Sequence, residues 1–259
     1  MDRNSQDKPL IKRASFDGIA NKFDQNIYGT SKGKLRHMLL LNYLAPYLDH
    51  DSPLKVLDAG GGTGVMSFEF AHKGHNVTLR DHSADVLRIA RERLSQFDNV
   101  VIQQSELVDN NAESFDLIIC HAVMEWLDDP LLLLDSMLSK LKPNTGVLSL
   151  SFFNHDAMLL NNVLYGNFDY VNSGMKVKNK VRLNPHNPQR PADIIAYITQ
   201  LPSYQLFHHA GIRCFHDYML DKSKIEHEFD ALYELELQHG IQHPFKWIGK
   251  YCHLMIKRN

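Results

Sequence analysis

Four glycines within five residues set the strongest constraint on this 259-residue chain, in the run Asp58-Ala59-Gly60-Gly61-Gly62-Thr63-Gly64. The short apolar segment Leu54–Asp58 before them reads as a buried strand, and Val65–His72 after them resumes at helical period. Glycines between a strand and a helix let the backbone turn sharply and approach a ligand with no Cβ in the way. In an open α/β sheet that ligand lies in the crevice beyond the carboxyl ends of the strands.

The alternation continues along the chain. Asn76–Arg80, Val100–Gln103, Phe115–Cys120 and Val147–Phe153 read as further strands, the last buried on both faces. Between them lie a helix with Val86, Leu87, Ala90 and Leu94 on one face and a Leu-rich helix over Pro130–Leu141. This rhythm predicts a parallel sheet wrapped by helices. Upstream, Phe16–Leu48 reads as helical, interrupted at Tyr28-Gly29-Thr30. Downstream, Asn154–Pro191 is a polar, aromatic and basic insertion with only local helix signals. A helix near Pro191–Gln200, a strand within Tyr204–Tyr218, a helix over Lys222–His239 and a final strand at Tyr251–Lys257 follow. The expected plan is a single domain: a helical cap (1–50), a ligand-binding core (54–153), an insertion that caps the substrate (154–191) and the C-terminal part of the fold (192–259).

Composition excludes several classes. With 44% hydrophobic and 22% charged residues the chain is neither disordered nor fibrous. Met1–Ala14 carry no apolar h-region, and the longest leucine run, Leu131–Leu134, is far short of the ~20 apolar residues of a membrane span. The 3 cysteines form no CxxC pair, which predicts a reduced, cytoplasmic protein. A net charge of −2 hides an asymmetry: Tyr170–Ala192 holds no acid but carries Lys176, Lys178, Lys180, Arg182 and Arg190, leaving −7 on the rest. Over 176–182 the cations fall at every second residue, on one face of an extended chain. Such a face either follows nucleic-acid phosphates or guards an edge strand; steep salt dependence marks the former.

The pattern D-x-G-x-G-x-G is the loop of S-adenosylmethionine (SAM) enzymes, whereas the dinucleotide fingerprint wants glycine where Val65 stands. Asp58, Gly60, Gly61, Gly62 and Gly64 are therefore cofactor candidates. Asp81, 17 residues after Gly64, ends the second strand, where a carboxylate accepts from ribose hydroxyls; it or Ser83 also suits a helix cap. His121, just past the fourth strand, either faces the cofactor or holds the loop that follows. Other motifs fail on context. Gly29-Thr30-Ser31-Lys32-Gly33 spells a nucleophile elbow but lacks the buried strand before it. His227-Glu228 begins a zinc motif whose second histidine is replaced by Ala231, and no histidine joins a cysteine at zinc spacing, so no metal is expected.

Beyond the core, four segments are distinctive: Phe23–Tyr28-Gly29-Thr30 with Lys32-Gly33-Lys34-Leu35-Arg36, then His121-Ala122-Val123-Met124-Glu125-Trp126, Gly166-Asn167-Phe168-Asp169-Tyr170 and Phe215-His216-Asp217-Tyr218. In these the chain resembles the bacterial tRNA 5-carboxymethoxyuridine methyltransferases over residues 16–257, and class I SAM enzymes in general over 54–153. The resemblance implies a Rossmann-like fold with a seven-stranded, mostly parallel sheet, its last strand antiparallel, and an insertion after the fifth strand. It implies SAM as cofactor, tRNA as partner, and a methyl ester made on the wobble-uridine carboxylate. SAM contacts carry over to Arg36, Gly60, Gly61, Asp81 and His121, with a further pair near Ser105 and Glu106. Asp58 comes from the loop motif alone.

The chemistry shapes the rest of the site. A carboxylate with a pKa near ~4 is already ionised at neutral pH, so no catalytic residue is needed as a base and positioning supplies the acceleration. Opposite charges vanish in this reaction, so a tight bidentate arginine on the acceptor would favour the ground state over the transition state. The expectation is an arginine that orients one oxygen, with Arg182, Arg190 and Arg213 as candidates and Tyr28, Tyr170 and Tyr218 as neutral donors. Interleaved aromatics such as Phe168 and Tyr170 suit stacking on an extruded base or packing onto the core. Three alternatives remain: a methyltransferase of small molecules, a non-catalytic SAM-dependent tRNA-binding protein, and, last, a NAD-dependent oxidoreductase.

Overall fold

A computed structural model describes residues 29–109, 112–175 and 185–259 of the chain. Helix α1 (Ser31–Leu48) opens on Thr30, whose hydroxyl accepts from the Gly33 N–H and satisfies one of the free donors of the first turn. Strand β1 (Lys55–Ala59) leads through the glycine loop into α2 (Val65–His72); β2 (Asn76–Asp81) leads into α3 (Ala84–Arg93) and β3 (Val100–Gln104). After β4 (Leu117–His121) come a 3₁₀ turn at Met124–Trp126 and α4 (Pro130–Ser139), which carries proline in its first turn and Asp129 as its cap. Strand β5 (Val147–Phe153) is buried along its whole length. Helices α5 (His155–Leu164), α6 (Phe168–Asn172) and α7 (Pro191–Thr199) precede β6 (Tyr204–Ile212). The chain closes through α8 (Lys224–His227), α9 (Phe229–His239) and β7 (Tyr251–Arg258).

The seven strands lie in the order β3-β2-β1-β4-β5-β7-β6. Neighbours from β3 to β5 pair parallel, and β7 runs antiparallel to both β5 and β6. This is the mostly parallel sheet with an antiparallel last strand that the alternation and the resemblance predict. Side chains alternate between two cores. Leu57, Ile118, Leu148 and Leu254 pack with α4 and α7 on one face, while Val56, Leu117, Ile119 and Met255 pack with α1, α2 and α9 on the other. Period-two alternation in a sheet covered on both sides explains why these strands read as unbroken apolar runs.

Two expectations need refinement. The insertion holds ordered helix: α5 is capped by Asn154, whose side chain accepts from the Asp156 N–H, and this strand-to-helix junction has no strong periodic signal. The helix expected over Lys222–His239 divides at Glu228, which leaves the helical path between α8 and α9. Ile225, Phe229 and Leu232 are all buried as a result. Tyr28, Arg182 and the alternating lysines 176–180 lie outside the described residues.

Candidate cofactor and acceptor site

The functional site is built at the carboxyl edge of the sheet, where β1, β2, β4 and β5 end. The loop after β1 is fastened to β2: the Gly60 and Gly61 N–H groups both donate to the Arg80 carbonyl, at 2.8 and 3.3 Å. Gly60 sits at φ +71°, and a Cβ there would meet Val123 Cγ2 at 2.5 Å. Gly64, at φ +77°, starts α2 so close to α3 that a Cβ would meet Leu94 Cδ1 at 2.9 Å and Ala90 Cβ at 3.3 Å. These two positions demand glycine both for backbone conformation and for space. A Cβ on Gly61 would fall 2.6 Å from Asp58 Cγ, whereas the space beside Gly62 is open.

Above this loop lies an open cleft lined by Arg36, His37, Leu40, Asp58, Gly60, Gly61, Met66 and His121. Arg36 comes from α1, so the N-terminal helix and the glycine loop meet across the cleft. Its guanidinium rests over the Tyr251 ring at 5.2 Å and has no carboxylate partner among the described residues.

The acids of the floor are held by the chain itself. Burial pushes the buried Asp58 up to about 6, partly countered by Ser67, whose hydroxyl donates to Oδ2 at 2.7 Å. Asp81 accepts from the Ser83 N–H at 2.9 Å and from the Gly62 N–H at 3.1 Å; burial raises its pKa. It thus bonds the first turn before α3 and keeps lone pairs for ribose hydroxyls, since a carboxylate has about four acceptor sites. Ser105 donates its N–H to the Asp81 carbonyl, and its buried hydroxyl has no partner in the described chain. Glu106 beside it is exposed.

His121 ends β4 at the wall of the site. It lines the cleft, and its Nε2 shares a hydrogen bond with Ser149 Oγ at 2.8 Å, which in turn bonds His253 Nε2 at 2.9 Å. Burial, then Arg36 and His37, push its pKa down to about 3, so the imidazole is neutral at physiological pH. A group this weakly basic is a poor proton acceptor at neutral pH.

The expected acceptor residues are dispersed. Arg213 is buried, and its Nε and Nη2 both donate to Asp217 at 2.7 Å, so its fork is already occupied. Tyr218 donates its hydroxyl to the Ile248 carbonyl at 2.8 Å. Arg190 is 56% exposed and 4.0 Å from Asp156, at the surface. Tyr170 is half-buried on α6, and Phe168 is 59% exposed. Sequence reasoning misses His37, Leu40 and Met66 in the cleft wall. Leu40 stands four residues after Arg36 on one helix, a spacing that points to it. Lys250 and Tyr251, more than 200 residues away from Arg36, give no such signal.

The order of the strands, the antiparallel last strand and a glycine-floored cleft at the carboxyl edge define a class I methyltransferase. A family described as "Methyltransferase domain" matches residues 32–217. The chain is 38% identical over 254 residues to the tRNA 5-carboxymethoxyuridine methyltransferase of Escherichia coli K12, covering 94% of this chain and 96% of that protein. It belongs to that methyltransferase family. Solved structures repeat the fold at low identity. Magnesium protoporphyrin IX methyltransferase from Synechocystis PCC 6803, with bound S-adenosylhomocysteine, is 16% identical with a TM-score of 0.59, covering 94% of this chain and 96% of that one. The N-methyltransferase NodS of Bradyrhizobium japonicum WM9, in the same ligand state, is 13% identical with a TM-score of 0.53, covering 93% and 98%. Among the described residues no helix is long and apolar enough to cross a membrane, and no cluster of His, Cys, Asp or Glu is arranged to hold a metal.

Proposed function

We propose that this SAM-dependent methyltransferase esterifies the carboxylate of 5-carboxymethoxyuridine at the wobble position of tRNA, in the cytoplasm. The observation that carries the reading is the electrostatics of the cleft: an arginine, Arg36, that has no carboxylate partner among the described residues. When bound, SAM supplies a methyl group on a positively charged sulfur, and a carboxylate oxygen that takes it leaves a neutral ester and a neutral thioether.

The residues fit that cofactor. The open space beside Gly62, the Ser105 hydroxyl without a partner among the described residues and the spare lone pairs of Asp81 suit an adenosine. Arg36 suits the amino-acid carboxylate, which a guanidinium grips through two parallel hydrogen bonds. Gly60 and Gly64 hold the loop in place, Asp58 supports it from beneath, His121 lines the pocket, and Glu106 stands exposed next to Ser105 just past β3. In the wall, His121 is too weakly basic to remove a proton near pH 7, and Asp58 is engaged by Ser67. An acceptor that arrives ionised needs neither. Helices α5 and α6, with Tyr170, form the cap over the acceptor, and the basic stretch that includes Arg182 and Arg190 meets the tRNA backbone.

The test is transfer of labelled methyl from SAM to tRNA that does or does not carry the carboxymethoxy group. Alkali-labile label only on the carboxymethoxy tRNA is expected. Label on both tRNAs, or on neither, would overturn the reading.

A further inference from the structure

Three cations near the carboxyl edge of the sheet have no carboxylate within ion-pair distance among the described residues: Arg36 lines the cleft, and Lys32 lies close enough to Lys250 to act on its charge. Lys32 and Arg36 stand one turn apart on α1, and Lys250 directly precedes β7. Lys250 is fixed by its backbone: its N–H donates to the Arg213 carbonyl at 3.2 Å, and its carbonyl accepts from the Asn154 N–H at 3.2 Å. Its neighbour Tyr251 pairs with Phe153 in the β5–β7 ladder. This places the half-buried ammonium 4.9 Å from the Phe153 ring centroid, at the carboxyl end of β5. The Phe153 ring in turn lies 5.7 Å from the Tyr251 ring, over which the guanidinium of Arg36 rests in the cleft wall.

Like charges held together raise the energy of a fold unless an anion joins them. The proposed reaction brings two carboxylates, one on the cofactor and one on the acceptor. Arg36 faces the cleft and suits the first. For the second, the dispersal of charge at the transition state demands a donor that grips one oxygen only. Arg213 is excluded because Asp217 occupies its fork. Lysine is a compact charge with no fork, and so meets the demand. Burial, with Arg213 and Lys32 nearby, lowers the Lys250 pKa, while Asp217 opposes the shift; an incoming anion relieves the same cost.

We propose that Lys250 is the acceptor-binding residue that orients one oxygen of the substrate carboxylate over Phe153, an assignment that rests on the function proposed above. The assignment makes the enzyme a charge discriminator, preferring its ionised substrate to its neutral ester product.

The experiment measures binding of two anticodon stem-loop RNAs, one with 5-carboxymethoxyuridine and one with its methyl ester, to the full chain and to Lys250→Met and Lys250→Gln variants. The wild type is expected to favour the carboxylate RNA by about tenfold, the size of one charged hydrogen bond. In both variants the two RNAs should bind within about twofold of each other. SAM affinity by calorimetry should stay unchanged, and the variant whose melting matches wild type decides. Lys250→Arg should restore binding yet keep a lowered kcat, because a fork holds both oxygens. A wild type that binds both RNAs equally overturns the functional reading itself. A wild type that discriminates, with well-folded variants that discriminate as strongly, overturns the role of Lys250 alone.

Discussion

The floor of the cleft and its rim are built on opposite plans. In the floor, Gly60, Gly61, Gly62, Asp58 and Asp81 are tied to one another and to Arg80, Ser67 and Ser83 by short local hydrogen bonds. On the rim, Lys32, Arg36 and Lys250 converge from the two ends of the chain and have no carboxylate among the described residues. The floor is a backbone template held together by the chain itself; the rim is an electrostatic one that, on the proposals above, the ligands' charges complete. A cofactor common to many methyltransferases suits the first kind of site, and a particular acceptor suits the second.

The largest effect should come from breaking the floor. Gly60→Ala puts a Cβ at 2.5 Å from Val123 Cγ2 in a backbone held at φ +71°. SAM affinity is expected to fall by about 100-fold, with a loss of about 2–3 kcal/mol in stability. Calorimetry and urea unfolding check this; near-wild-type SAM binding would mean that the floor is not a rigid template.

Next in size is Arg36, the residue proposed to hold the cofactor carboxylate. Arg36→Ala should weaken SAM binding by about 30-fold through loss of a charge-assisted pair, while tRNA affinity moves by less than about twofold. Parallel titrations with both ligands decide; equal weakening would show that the two carboxylate sites are not separate.

The smallest effect concerns Glu125, buried after β4 with Oε2 unpartnered. Burial raises its pKa to about 7, against hydrogen bonds from its own and the Phe153 N–H and the field of Arg36. The folded state therefore keeps a proton that the unfolded chain releases, and stability falls as pH rises from the ordinary glutamate range to about 7. Glu125→Gln should raise apo-protein stability by about 1–2 kcal/mol at pH 8 and leave it unchanged near pH 4. Urea unfolding at the two pH values measures it; an equal gain at both would remove ionisation as the cause.

The same contrast governs how much of the site is legible in the chain alone. The floor is legible because its parts are neighbours in sequence: Asp58 through Gly64 is one turn, and Asp81 ends the strand paired with β1. Arg36 is reached only through resemblance, since nothing in the spacing of α1 says that it meets the glycine loop. Arg213 and Tyr218 are reasonable acceptor candidates by residue type, yet Asp217 and the Ile248 carbonyl take up their donors. Their distribution depends on contacts that composition does not encode.

Apolar periodicity, the strand–glycine–helix turn and the alternation of strand and helix determined the class of fold, because each depends on residues within a few positions of one another. The order β5-β7-β6, which lays Tyr251 beside Phe153 and brings Lys250 to the same rim as Lys32 and Arg36, was decided only in three dimensions. Charge is felt through space and not along the chain, so which cations remain without a partner is a property of the folded sheet edge.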